Sequence, residues 1–525
     1  MSGSRGKLVM APVVMGFVFI TLRSALKLSG LDFFLRGLTT FSLLDAELIR
    51  KNRVAQAAVA EVVSGKTKSA KAQKKAAAKL DADIREAAEE QCSISQLTSE
   101  TVRQLTFSKD FDDMVAACAL VAINAVSALV WAYVFGTGAA LTMSVVAVLV
   151  LAYICYTTLS VDVAGDGVSG PTTRVHFLAK NLHLVIAAAF GTLFSYALLS
   201  ISTLEPQPLL NDFGLQAALA AVEEATASLQ QMILTRLVGD DSVKLAIASP
   251  NRGDLFMLGL ALWGGFMAAA MVGPACRFAK LVHGMASVPR WGKKWIGQTG
   301  FQLWTARAAF VLPMIVALLQ FKAVSEAWGL DAAEVSQLQG GLLLLTATAH
   351  AFAIQPLCQA YLNNGLSDWY INSKSGVTHS RKAEIMRARL DYMRTMAAKT
   401  ALQVAGLAGV ALATGVLASM HGRGSLLDAL AADAVRGPML GALRSLAERG
   451  ASDAADGAAQ LSGSAAARLL TLLQPAVGTG AVSSVSGDVG AVFVFVGRFY
   501  GTWACLAWSI IAWGALAVHK LGLNQ

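Results

Sequence analysis

Residues 114–135 read MVAACALVAINAVSALVWAYVF, and 139–159 read AALTMSVVAVLVLAYICYTTL; neither stretch holds an Asp, Glu, Lys or Arg. At about 1.5 Å of rise per residue, roughly twenty apolar residues in a helix cross the hydrocarbon of a bilayer. The same pattern recurs along the chain. Leu184–Ser202, Leu255–Val272, Gly340–Leu357 and Ala401–Met420 are equally free of charge, Phe301–Phe321 qualifies around Arg307, and Val492–Val518 around Arg498. A ninth and shorter segment, Leu8–Leu22, ends before Arg23. The whole chain agrees with these segments: 525 residues are 55% hydrophobic and only 15% charged, against about 25% charged in ordinary soluble domains. The sequence therefore predicts an all-α fold, a polytopic bundle of about nine transmembrane helices forming a single membrane domain, 1–525, with amphipathic helices in its connecting loops.

Leu8–Leu22 has a second reading as a secretory signal, because Arg5 and Lys7 precede it. Arg23, Lys27 and the basic region that follows resist translocation and favour an uncleaved span. Orientation follows from Lys and Arg in the connections. With the N-terminus outside, the cytosolic stretches are 23–113, 160–183, 274–300, 362–400 and 519–525, and they hold 30 of the 43 Lys and Arg. The outer connections, including the long insertions 203–254 and 421–489, hold 11. Two local comparisons run the other way, but both involve long loops, which translocate largely regardless of charge. The expectation is an integral protein of the plasma membrane or endomembrane system, with its N-terminus outside and its C-terminus cytosolic.

A net charge of +9 then belongs to the inner face, where anionic lipid attracts basic residues at about 1 kcal/mol each. Nucleic acid is not expected as a partner, because the charge is split among loops flanking spans. The partners expected instead are the bilayer, anionic lipid at the cytosolic face, and a protein at the basic cytosolic loops. Residues 50–90 read as a charged Ala-rich helix. Lys66, Lys68, Lys71, Lys74, Lys75 and Lys79 come first, then Asp81, Asp83, Glu86, Glu89 and Glu90. It reads either as a clamp on an anionic surface or as a solvated helix. In 203–254, Leu215, Leu219, Val222, Leu229, Ile233 and Leu237 fall at helical spacing and predict an amphipathic helix. The insertion 421–489 is rich in Ala, Gly and Ser, of low complexity.

No motif names a reaction. Gly165–Gly170 fits GxGxxG but joins two spans and lacks the strand that a dinucleotide site needs. Of six cysteines, Cys118, Cys155 and Cys505 fall in spans, Cys276 and Cys358 at their inner ends, and Cys92 in the cytosol. They offer neither a disulfide framework nor metal-ligand spacing, so no metal, cofactor or catalytic residue is expected. The spans as drawn contain no Asp or Glu for ion coupling. They do contain Arg307, His350 and Arg498. Such groups usually face a bundle interior or a wet cavity, and three around one cavity would suit an anionic or lipid-headgroup ligand. The alternatives are snorkelling, or hydrogen bonds to backbone carbonyls and to Gln302, Gln355 and Gln403. Pro313 and Pro356 interrupt helix hydrogen bonding, as Pro12 does in the first segment. Ala405, Gly409 and Ala413 give the eighth span a small-residue face for close packing.

Two inner span ends carry related patterns. Pro274, Arg277 and Lys280 close the fifth span, and Pro356, Gln359 and Tyr361 close the seventh. A basic segment through Arg387, Arg389 and Arg394 follows. The two ends are expected to pack together, with Arg277 and Gln359 in one hydrogen-bond network. With the run Phe493–Tyr500 and the later Trp503, Trp508 and Trp513, they resemble the eukaryotic transmembrane protein 161 family in order and spacing. The most specific piece is Pro356-Leu-Cys-Gln-Ala-Tyr-Leu362. The 66–79 and 421–489 stretches depart from that pattern. The resemblance implies a multi-pass membrane protein, in a family whose animal members are associated with membrane excitability and cilia-dependent development. The functional expectation is a non-enzymatic modulator of ion handling or membrane signalling. The runner-up is a transporter or channel using the three basic intramembrane residues.

Overall fold

Where the sequence is apolar for long enough, the chain is helical, and the helices outrun the segments drawn from hydropathy. The computed structural model describes residues 29–43, 92–135, 140–164, 181–203, 209–238, 252–288, 298–374, 382–420 and 482–521. In order they form α1 (Gly30–Leu35), β1 (Thr39–Leu43), β2 (Cys92–Gln96), α2 (Ser99–Arg103), α3 (Ser108–Phe135), α4 (Ala140–Ala164) and α5 (Leu182–Ser202). Then come α6 (Leu215–Val238), α7 (Arg252–Ala286), α8 (Gly300–Leu319), α9 (Lys322–Ala327), α10 (Ala332–Lys374), α11 (Lys382–Thr395), α12 (Ala397–Met420) and α13 (Val482–Lys520). Eight of these, α3, α4, α5, α7, α8, α10, α12 and α13, are long and apolar enough to cross a membrane. They match eight of the nine expected segments. The ninth, Leu8–Leu22, lies outside the described residues, as do the Lys66–Lys79 run, the Gly165–Gly170 stretch and most of 421–489.

Beside the helical bundle stands one small sheet. β1 and β2 pair antiparallel from Thr39↔Gln96 to Leu43↔Cys92. Hydroxyl pairs cross between the strands, Thr40–Ser95 at 2.9 Å and Ser42–Ser93 at 2.7 Å. Five-residue strands separated by 48 residues carry no local turn signal, and Thr, Ser and Phe alternate there too briefly to stand out beside long apolar runs.

Contacts between helix ends show how the spans alternate. The last turn of α4 meets the first of α12 through Asp162 and Gln403. Late α7 meets early α12 through Arg277 and Thr400, and α3 begins beside α1, where Asp112 accepts the Leu31 amide at 2.8 Å. Gln359, late in α10, bonds to Thr39 of β1. All of these lie at what we call the hairpin end. At the far end, early α13 meets early α7, where the Tyr500 hydroxyl donates to the Leu260 carbonyl at 2.8 Å and the Trp503 indole to that of Gly264 at 2.7 Å. There too the loop before α6 is tied to the end of α8 by Asn211 and Gln320. Consecutive spans thus reverse direction, as serial membrane crossings require.

α12 is the hub: almost all of it is buried, between α3, α4, α10 and α13. Small residues make that possible. A Cβ at Gly409 would meet Ile154 Cδ1 at 2.7 Å and Cys118 Sγ at 3.0 Å; one at Gly497 of α13 would meet the Ala418 backbone nitrogen at 2.6 Å. Ala405 and Ala413 are buried too, so the small-residue face serves packing inside the bundle. The helix α6 buries Leu215, Ala218 and Ala221 and leans on α13.

Candidate functional site

The three basic span residues have different surroundings. His350 is fully buried and its Nδ1 lies 3.0 Å from the Thr346 carbonyl one turn back. Its ring packs against Phe278 and Trp508, with centroids 5.2 and 5.3 Å away. Arg307 is exposed on the stripe of α8 that carries Phe301, Trp304, Val311, Met314 and Leu318, all exposed. That stripe faces the surroundings of the bundle, and a long arginine there snorkels. Arg498 sits at the far end, where its guanidinium donates to the Ser336 hydroxyl, while Gln339 holds its carbonyl at 3.1 Å. Among the described residues no hydrogen bond or ring contact joins any two of the three. Helix rotation, which hydropathy does not report, gives each its own surroundings.

Polar side chains converge instead at the hairpin end. Asp162 extends from the last turn of α4 and accepts a hydrogen bond from Gln403 of α12. Its carboxylate fills the space beside Gly273 of α7, where any Cβ would overlap it. Arg277, one turn further along α7, donates to the Thr400 hydroxyl at 3.1 Å and stands 6.0 Å from the centre of the Tyr361 ring. Lys399, one turn before Gln403, is only 3% exposed, near the Phe107 ring. Asp162 interacts electrostatically with Lys399, Arg277 and His183. One carboxylate from α4 therefore stands within electrostatic reach of cations on α7 and α12. Asp162 Oδ2 and Gln403 Oε1 are buried without a hydrogen-bond partner.

Beside this junction Gln359 treats β1 as a partner strand. Its Oε1 accepts the Thr39 amide at 2.9 Å, and its Nε2 donates to the Thr39 hydroxyl at 2.6 Å and to Asn363 Oδ1 at 2.8 Å. The expectation that Arg277 and Gln359 share a network is corrected here. Tyr361, not Gln359, faces Arg277, because positions two apart on a helix point about 200° away from each other. The span ends are neighbours, but one bonds toward α12 and the other toward the sheet. Pro274 and Pro356 both sit within unbroken helices. Pro274 packs near Gly406, and the Pro356 carbonyl accepts from Gln298 at 2.8 Å. Lys280 is exposed.

Asp162 was missed by hydropathy because the segment was closed at Leu159, one turn too early. The absence of acids from the spans is therefore also corrected. No signal in a single sequence aligns Asp162 with Gly273 and Gln403. Chemically the junction offers charge balance and hydrogen bonds. Among the described residues no group of three or more His, Cys, Asp or Glu is placed to hold a metal ion.

The Gln359 lock makes a prediction. Gln359→Leu removes both sides of a part-buried pairing, each bond worth about 1 kcal/mol net. Limited proteolysis should then cut the segment before α1 or between β1 and β2 several-fold faster, with the spans intact. Unchanged cleavage kinetics would show that the sheet is held elsewhere.

No protein-family model, no curated protein and no solved structure matches the chain.

Proposed function

We propose that the chain modulates ion handling or membrane signalling without being an enzyme, acting through the hairpin end of its bundle. The observation that carries this reading is the distribution of polarity. The hub helix is packed with small and apolar side chains, whereas the junction around Asp162, the β1–β2 sheet and basic α11 all gather at one end. In this reading that end is cytosolic, as the Lys and Arg bias favours, the first segment is a ninth span, and α6 and α11 are amphipathic helices lying at the two membrane faces. On α11, Met386, Leu390 and Met393 are buried while Arg387, Arg389 and Arg394 are exposed, and Arg389 pairs with Asp368 of α10 at 2.6 Å. The resemblance to the transmembrane protein 161 family points the same way. An anion path through Arg307, His350 and Arg498 is the weaker reading, because Arg307 faces outward, His350 is enclosed by aromatic rings and Arg498 is bonded to Ser336.

Two measurements test this. Tags at residue 70 and at the C-terminus should be protected inside sealed cells while a tag near 455 is accessible; residues 70 and 455 on one side would end the topology. Purified full-length chain in sealed liposomes should carry no anion or cation flux above protein-free vesicles, yet its expression should change ion flux in cells. Flux from the chain alone would replace the modulator with a transporter or channel.

A further inference from the structure

Where α7 and α13 end together, two imidazoles stack, and each helix end carries a lysine close by in sequence. Lys280 and His283 lie on α7 at three-residue spacing, one helical face, and His519 and Lys520 close α13. The His283 and His519 rings stack nearly parallel, 11° apart with centroids 6.2 Å from one another, and both Lys280 and His283 act electrostatically on His519. Both lysines are exposed and both imidazoles partly so. Among the described residues none of the four forms an ion pair with a carboxylate. Cations near a helix C-terminus are individually favourable, which accounts for each group on its own helix. It does not account for two lysines brought, one from each helix, to the same pair of stacked imidazoles, because like charges repel.

Depth in the membrane says what balances them. On α13, Ile510 and Trp513 are exposed apolar side chains, the kind that meets acyl chains and the interface. Lys520 follows Trp513 by seven residues, about 10 Å along the helix, which is the step from the acyl boundary to the phosphates. We propose that Lys280, His283, His519 and Lys520 bind the phosphate group of an anionic lipid headgroup. The lysines supply permanent charge, the imidazole N–H groups supply directed donors, and the acyl chains lie along Ile510 and Trp513. The inference rests on the membrane reading of the spans but on neither the orientation nor the signalling role, so it stands or falls separately from them.

The test uses purified full-length chain in detergent micelles, titrated with short-chain phosphatidic acid, with the phosphatidylcholine of the same chain length, and with inorganic phosphate. Wild type should prefer phosphatidic acid over phosphatidylcholine by tenfold or more. Lys280→Gln with Lys520→Gln should cut phosphatidic acid binding by roughly tenfold or more, and His283→Gln with His519→Gln should also weaken it. Lys322→Gln, a lysine at the far end paired with Glu326, should leave binding unchanged. Inorganic phosphate that binds as tightly as the lipid would assign the site to a free anion and overturn the lipid proposal. Equal binding of both lipids, or variants that lower the melting temperature with the lipid preference intact, would overturn it as well.

Discussion

Replacing Gly265 by valine should leave little folded protein to purify, whereas the same change at Gly259 on the same helix should be tolerated. The two positions differ in what lies opposite. A Cβ at Gly265 would stand 2.5 Å from the Ala188 carbonyl and 3.0 Å from the Thr192 backbone nitrogen, and would overlap the Thr192 hydroxyl. The crossing is tight from both sides, since a Cβ on Gly191 of α5 would meet that of Ala268 at 2.5 Å. Around Gly259 nothing lies within 4 Å. Helices in lipid gain little from burying apolar surface, so close backbone approach through small residues supplies much of their association. A backbone carbonyl has no rotamer by which to move aside, so α5 and α7 must separate along their crossing. The cost is about 3 kcal/mol, the upper end of ordinary overpacking. Thermal unfolding in detergent micelles, with yield of monodisperse protein, reads it out. Equal melting temperatures for Gly259→Val and Gly265→Val would show that the crossing is not close.

How much of this was legible in the sequence depends on which physical quantity each feature needs. A span needs only length and hydrophobicity, and eight of the expected segments coincide with helices. Their ends were harder. Asp162, Arg277 and Lys399 continue the helices past the apolar run, because a protein end supplies the partners that lipid does not. Rotation of each helix about its axis was harder still. Phe301, Trp304 and Arg307 repeat at three-residue spacing and share an outward face, a pattern visible in the sequence once the neighbours on that face are counted. His350 carries no such marker: only the structure shows Phe278 and Trp508 closing around it. The β1–β2 pairing joins residues about fifty positions apart and the Gln359 lock residues 320 apart, and no local period encodes a partner at either distance.

Asp162→Leu should destabilise the bundle by about 3 kcal/mol, as loss of one partner from a buried charged group does. The reason lies in its neighbours. Lys399 is 3% exposed and Arg277 is committed to Thr400 and the Tyr361 ring, so neither cation turns easily toward water when the carboxylate is gone. Asp162→Asn separates charge from hydrogen bonding. The amide keeps the shape and can still accept from Gln403, but it no longer balances Lys399 and Arg277. If charge dominates, Asn should lose most of what Leu loses. If the Gln403 bond dominates, Asn should behave as wild type. Charge is expected to dominate, because the Asn amide keeps a neutral hydrogen bond worth about 1 kcal/mol net and loses the interaction with both cations. A third variant reaches the same point from the opposite helix: Gly273→Ala leaves every charge in place but puts a methyl group where the Asp162 carboxylate lies, and should destabilise by a comparable amount. Combining Gly273→Ala with Asp162→Leu should then cost less than the sum of the two, since both act on one contact. Strict additivity in unfolding measurements, or wild-type stability for Asp162→Leu, would remove Asp162 from the centre of the junction.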